Sequence, residues 1–252
     1  MNAAPQAYRA SILHFLSDPG SSNDPRAPQY FEDGLLVVDG GHVVAVGPAQ
    51  ALLATLPAGA PVTDLRPRLI LPGFVDTHIH YPQTDVIASY GTQLLDWLER
   101  YTFPAERRFD DAAHARAVCE FFFDELLRNG TTTALVFGTV HRLSIDVFFE
   151  AAQARGLRMI AGKVLMDRNC PSDLRDTPRD GVRESQQLIE RWHGTGRLVT
   201  TIISARNLSK HICQSSQLEY RNAATLVDRC SFENCGTIRV LTAHPNIKSG
   251  FG

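Results

Sequence analysis

Two histidines one residue apart, His78 and His80, close the string Pro72-Gly-Phe-Val-Asp-Thr-His-Ile-His80. Along an extended chain alternate side chains share a face, so the two imidazoles project together. Such a pair at the carboxyl end of a strand can ligate one metal ion without strain. Asp76 has the same parity and could orient an imidazole from behind. Gln83, three residues further on, carries an amide that both donates and accepts, although taken alone a glutamine there is expected to face solvent. Trp97, Tyr101 and Phe103 follow in a long segment, residues 81–109, where Trp97 could line a pocket or the three could pack that segment as a cluster. His141 follows the next β-rich run and could approach the same face, although a hydrogen-bonded structural ring is the plainer expectation. Lys163 within a third β-rich run, and Asp167 at its end, are given no ligand role.

The elements that must position these groups alternate. Residues 8–16 and 35–46 look extended, the second stretch folding at Asp39-Gly40-Gly41 into a hairpin. A loop rich in Pro, Ser, Asp and Asn, residues 17–29, precedes it. LILPGFV is short and apolar between turn residues, as expected of a buried parallel strand. A helix should begin at Asp110-Asp111 and bury Ala115, Val118, Phe122 and Leu126, which recur every three or four residues. TTTALVFGTV, a helix over 144–155, LRMIAGKVLM, a helix over GVRESQQLIERW and a possible strand in RLVTTII complete the series. Strand–helix alternation of this kind implies a parallel sheet.

Composition narrows the setting. The chain is 44% hydrophobic and 21% charged with a formal charge of −2, which gives no electrostatic case for nucleic acid or a membrane surface. Its start lacks the flanks of a secretory signal, and no apolar run approaches the about 18 residues of a membrane span. Five cysteines without a CxxC pair argue against a disulfide framework, so a reduced, cytoplasmic protein is expected. Residues 199–252 differ from the rest: six Lys+Arg stand against three Asp+Glu, where residues 1–198 have 19 against 24. Three of the five cysteines, Cys213, Cys230 and Cys235, lie there too.

PGFVDTHIH resembles the first-strand signature of the amidohydrolase superfamily, metal enzymes on a (β/α)8 barrel flanked by a small β-sandwich. HYPQTD, LLDWLERYTFPAERRF, NGTTTA and GKVLMD further resemble the guanine deaminases, over about residues 30–198. The resemblance implies zinc (Zn2+) held by His78 and His80 and contact of Gln83 with the purine, which is the ring that Trp97 would line if it faces the pocket. It implies hydrolysis of guanine by a zinc-activated water to xanthine and ammonia, in purine catabolism. It also implies a third histidine within an H-x-x-E element, a late aspartate and an Arg-Phe pair. None of the nine histidines has a glutamate three residues on, and Ala205-Arg206-Asn207 stands where the Arg-Phe pair is sought. His244 and Asp228 are the only faint stand-ins for the missing ligands, and the catalytic proton carriers stay unassigned.

The fold class expected is therefore α/β: an incomplete (β/α)8 TIM-type barrel of about four strands with a small amino-terminal β-sandwich unit. Residues 1–68 would form half of that sandwich, 69–198 the first βα units of the barrel, and 199–252 a divergent tail. At about 30 residues per unit, residues 204–252 cannot supply four more strands with their helices. The chain is thus expected to be a truncated guanine deaminase. The alternatives are an inactive fragment that retains two zinc-site histidines, or an amidohydrolase acting on another amino-substituted ring. Guanine is the partner expected, and a homo-oligomer is left open.

Overall fold

The computed structural model describes residues 5–17, 25–91 and 93–196, with the backbone of 199–200. Asp228, His244, the Ala205-Arg206-Asn207 string and nearly all of the expected tail lie outside the described residues. The described chain divides into two compact units, Met1–Phe74 and Val75–Gly252.

The first unit is one four-stranded sheet in the order β3-β2-β1-β4, built from β1 (Gln6–Phe15), β2 (Pro28–Asp39), β3 (His42–Pro48) and β4 (Val62–Ile70). β2 and β3 pair antiparallel with Asp39 opposite His42. Gly40 and Gly41 between them both have positive φ (56° and 80°), which the two-residue hairpin requires and a side chain would resist. α1 (Ala49–Leu53) lays Leu52 and Leu53 on a small core of Ala7, Leu35 and Val37. The loop expected over 17–29 lies between the end of β1 at Phe15 and the start of β2 at Pro28.

LILPGFV is not one strand. β4 ends at Ile70 and β5 (Phe74–His80) begins four residues later, in the second unit's sheet. Pro72 lacks the N–H that a ladder needs, so the apolar run is cut between two strands. Nor is it buried: Leu69 and Phe74 are 49% and 58% exposed.

The second sheet has the order β5-β6-β7-β8, with β6 (Thr131–Phe137), β7 (Arg158–Gly162) and β8 (Val199–Thr200) parallel. Residues 81–109, expected as a long loop, are largely helical. Tyr81–Val86 is a 3-10 turn, followed by α2 (Leu94–Trp97), a π turn over Leu98–Thr102, α3 (Phe103–Arg107) and a second 3-10 turn over Arg108–Asp110. Pro104 in the first turn of α3 has no N–H to give the preceding turn, and the mixed helix types blur the 3.6-residue period.

α4 (Ala112–Arg128) begins where its sequence says it should. Asp111 caps it, its carboxylate accepting from the Ala113 N–H (2.9 Å). It buries Ala115, Val118, Phe122 and Leu126, and also Cys119 and Phe123. α5 (Arg142–Ala154) and α6 (Pro178–Trp192) complete the layer, and Phe148, Phe149 and Trp192 join the same core. Tyr81 is wholly buried against Phe109, Phe122 and Phe148, and its hydroxyl donates to the Ser144 carbonyl (2.9 Å). That bond anchors the residues just beyond β5 to the start of α5.

Candidate functional site

β5 places the two histidines as alternation predicts. Ile79 packs on the helix-side core, which turns His78 and His80 to the other face. Their Nε2 atoms lie 3.3 Å apart. Two nitrogens on one tetrahedral metal, each at about 2.0 Å, stand about 3.3 Å apart, so the spacing suits a shared ion. It also suits one imidazole donating to the other. Asp76 sits nearby, with its carboxylate accepting from the backbone N–H of His78 (2.9 Å), which fixes the strand's end.

The rings rest on Phe137, a residue the sequence reading passed over. The His80 ring stacks on it at 4.4 Å with 19° between planes, and His78 leans on it at 4.6 Å. The signal was present: in TTTALVF, Ala134 and Val136 are buried toward the helices, so Phe137 must face the other way, beside the histidines. Phe137 in turn packs on a second core of Leu98, Phe103, Val140, Val164, Met166 and Leu174.

An open cleft of about 620 Å³ runs past the pair and is lined by His78, His80, Gln83, Ser89, Trp97 and part of α4. Gln83 lies on the Tyr81–Val86 turn, which is held by buried Tyr81 and by the Thr84 hydroxyl donating to the Tyr81 carbonyl (2.6 Å). Trp97 takes both roles open to it. It lines the cleft and also packs on the core that holds Phe137. Its Nε1–H donates to Ser89 Oγ (2.8 Å), a partner that the sequence did not single out. Phe103 is buried in that core, and Tyr101 lines a separate shallow recess with Gly91 and Asp96. Among the described residues, no group of three or more His, Cys, Asp or Glu converges closely enough to hold a metal.

The remaining candidates serve the framework. His141 stands at the start of α5, outside the cleft lining, and its carbonyl accepts from both the N–H and the hydroxyl of Ser144 (3.1 and 2.8 Å). Its ring was expected to be hydrogen-bonded; instead Nε2 is buried with no hydrogen-bond partner among the described residues. Burial lowers the His141 pKa, and the nearby Lys163 ammonium adds to that. Lys163 lies one residue past β7, not within it as expected, and is 1% exposed. Its ammonium donates to Asp176 (2.7 Å) and Glu184 (2.5 Å), tying the end of β7 to the loop before α6 and to α6 itself. Burial pushes the Asp176 carboxyl up despite that ammonium. Asp167 is paired with Arg168, whose hydrogen bond holds the carboxyl below its ordinary range.

Residues 69–211 match the amidohydrolase family. The chain is 53% identical over 176 residues to guanine deaminase of Escherichia coli, covering 70% of this chain and 40% of that protein. It is 44% identical over 206 residues to a probable guanine deaminase of Deinococcus radiodurans, covering 80% and 46%. The solved E. coli guanine deaminase superposes with a TM-score of 0.79 at 44% identity, over 88% of this chain and 52% of the other. The chain therefore spans about half the length of the relatives it matches.

Proposed function

This chain belongs to the amidohydrolase family, and from that membership we propose that it carries the metal- and base-binding residues of a guanine deaminase. The reaction is hydrolytic: guanine and water give xanthine and ammonia. One observation carries this reading. The 3.3 Å pair of imidazole nitrogens opens into the same cleft as Gln83 and Trp97.

His78 and His80 are the residues that would hold zinc, and their nitrogen spacing fits that ion. When bound, zinc lowers the pKa of a water toward neutrality, which hydrolysis at neutral pH requires. Phe137 fixes the plane of both imidazoles. Gln83, on its anchored turn, donates to and accepts from the edge of the base. Trp97 covers a ring face. The proton carriers are assigned to no described residue. In the same reading the second sheet is the opening part of a (β/α)8 barrel, the first sheet belongs to the flanking β-sandwich, and the boundaries are those of residues 1–68, 69–198 and 199–252. The free thiols of Cys119 and Cys170 fit a reducing, cytoplasmic setting, and no helix among the described residues is long and apolar enough to cross a membrane.

Equilibrium dialysis of the zinc-loaded chain against guanine, adenine and melamine tests this reading. Guanine should be retained best, and Gln83→Ala should weaken it by about tenfold, the order of one lost hydrogen bond, with zinc content unchanged. Preference for melamine would replace the purine with an aminotriazine-like ring, and retention of none would remove the base site.

A further inference from the structure

We propose that the loop of residues 87–91 is a positioning device that fixes Trp97 as a stacking wall of the cleft. The inference rests on the reading of that cleft as a purine site.

Three observations on this loop converge on one indole. Ser89 Oγ accepts the Trp97 Nε1–H at 2.8 Å. Indole has no other donor, so Trp97 can offer a ligand ring surface only. Gly91 lies so close that a Cβ there would stand 2.6 Å from Trp97 Cβ, shorter than real Cβ contacts, and 3.0 Å from Cδ1, which is tight, so the indole would have to shift. Between β5 and these contacts the backbone passes through Ala88 at φ +63°, a left-handed conformation that an alanine adopts only when its surroundings enforce it.

The loop's own large apolar side chains do not explain that strain, because Ile87 and Tyr90 are 74% and 76% exposed. What the loop does accomplish is to hold Trp97, which also packs on the core of Leu98, Phe103 and Val164. The division of labour follows. Gln83 reads the polar edge of a planar heteroaromatic ring, whereas Trp97 supplies a pre-set apolar face at little conformational cost. Ser89 and Gly91 act through Trp97 and are positioning residues.

The chain has two tryptophans, so Trp192→Phe leaves Trp97 as the sole emitter. In that background Gly91→Ala and Ser89→Ala should shift Trp97 emission and raise its acrylamide quenching. Ser89→Thr, which keeps the hydroxyl, should restore the parent signal. Gly91→Ala should weaken guanine binding at least tenfold, and cobalt(II) absorption at the histidine pair should not change. Difference spectra in the two-tryptophan parent serve if Trp192→Phe does not fold, and Ser89→Ala with Ala88→Gly serve if Gly91→Ala does not. Emission, quenching and guanine affinity all within twofold of the parent would overturn the inference. A parent that binds no guanine would overturn the purine reading alone, and the fluorescence would still decide whether the loop positions Trp97.

Discussion

Nε2 of His78 stands 3.3 Å from Nε2 of His80, the spacing that two nitrogens on one tetrahedral ion would have. Catalytic zinc sites normally use three protein ligands, and the described residues bring two together. The 252-residue chain should therefore take up zinc and lose most of it on dialysis against a mild chelator. His78→Ala or His80→Ala should abolish even that uptake. Metal analysis after dialysis decides; one retained zinc per chain, lost in either variant, would show that residues 201–252 supply further ligands.

Phe137 carries both rings, and its removal should be felt at the metal more than in the fold. Phe137→Leu keeps most of the apolar volume and should cost under about 1.5 kcal/mol of stability. Metal affinity should nevertheless fall about tenfold, as when other groups that orient ligating imidazoles are lost. Cobalt(II) titration and urea unfolding on the same preparation separate the two effects. Unchanged affinity would mean that β5 alone orients the histidines.

Much of this was legible where one local signal dominates. The histidine face followed from strand parity, the hairpin from Asp39-Gly40-Gly41, and the start of α4 from Asp111. LILPGFV failed because an apolar run by itself fixes neither burial nor strand continuity: Leu69 and Phe74 are exposed, and Pro72 had to be weighed as a break. Residues 81–109 failed because 3-10, α and π turns follow one another there and no single period survives. His141, Lys163 and Ser89 owe their environments to partners far along the chain or across a loop. Asp176 and Glu184 are separated from Lys163 by 13 and 21 residues, which no spacing rule anticipates.

Lys163 is the place where a single substitution should damage the second unit most. Its ammonium is buried between Asp176 and Glu184, and removing it leaves two carboxylates facing each other. Lys163→Met should cost about 3–5 kcal/mol, toward the lower figure because Glu184 keeps some solvent. Adding Asp176→Asn and Glu184→Gln should recover most of the loss, since the unpaired charges go with the lysine. Urea midpoints of the three proteins test this. A triple variant no better than Lys163→Met would show that packing and not charge sets the cost.

His141 should leave a signature in the pH dependence of stability. Its pKa in the folded chain lies below the ordinary 6.5, because burial disfavours the imidazolium and Lys163 repels it. Asp110, Asp173 and Glu184 face it and oppose that shift only in part. The unfolded chain thus binds a proton that the folded chain refuses. The contribution is complete above about pH 6.5 and is lost as pH falls through the lower folded value. Asp176 has the opposite sign: with its pKa raised above the ordinary 3.8, it favours folding at low pH and loses that contribution as pH rises through its folded value. The difference in unfolding free energy between parent and His141→Gln should therefore be constant above about pH 6.5 and change below it. A difference flat across that range would mean that His141 takes up its proton without penalty.

The 252-residue chain, by itself, should bind guanine without converting it. In the proposed reading binding needs Gln83 and Trp97, and both line the cleft beside the histidine pair. Conversion needs more: a water ionised at the metal, a proton delivered to the leaving amine, and a base to receive one. No histidine in the sequence is followed by a glutamate at the third position, so the H-x-x-E element that would carry those protons is missing. Loss of general acid–base assistance alone costs about 10²–10⁴ in rate, and incomplete metal ligation lowers it further. Zinc-loaded chain incubated with guanine should thus form xanthine no faster than a zinc blank, while retaining guanine on dialysis. Steady, zinc-dependent xanthine formation abolished by His80→Ala would refute this, and would direct the search for the proton carrier to Glu125 in the cleft lining and to His211, Glu219, Asp228, Glu233 and His244 in residues 201–252.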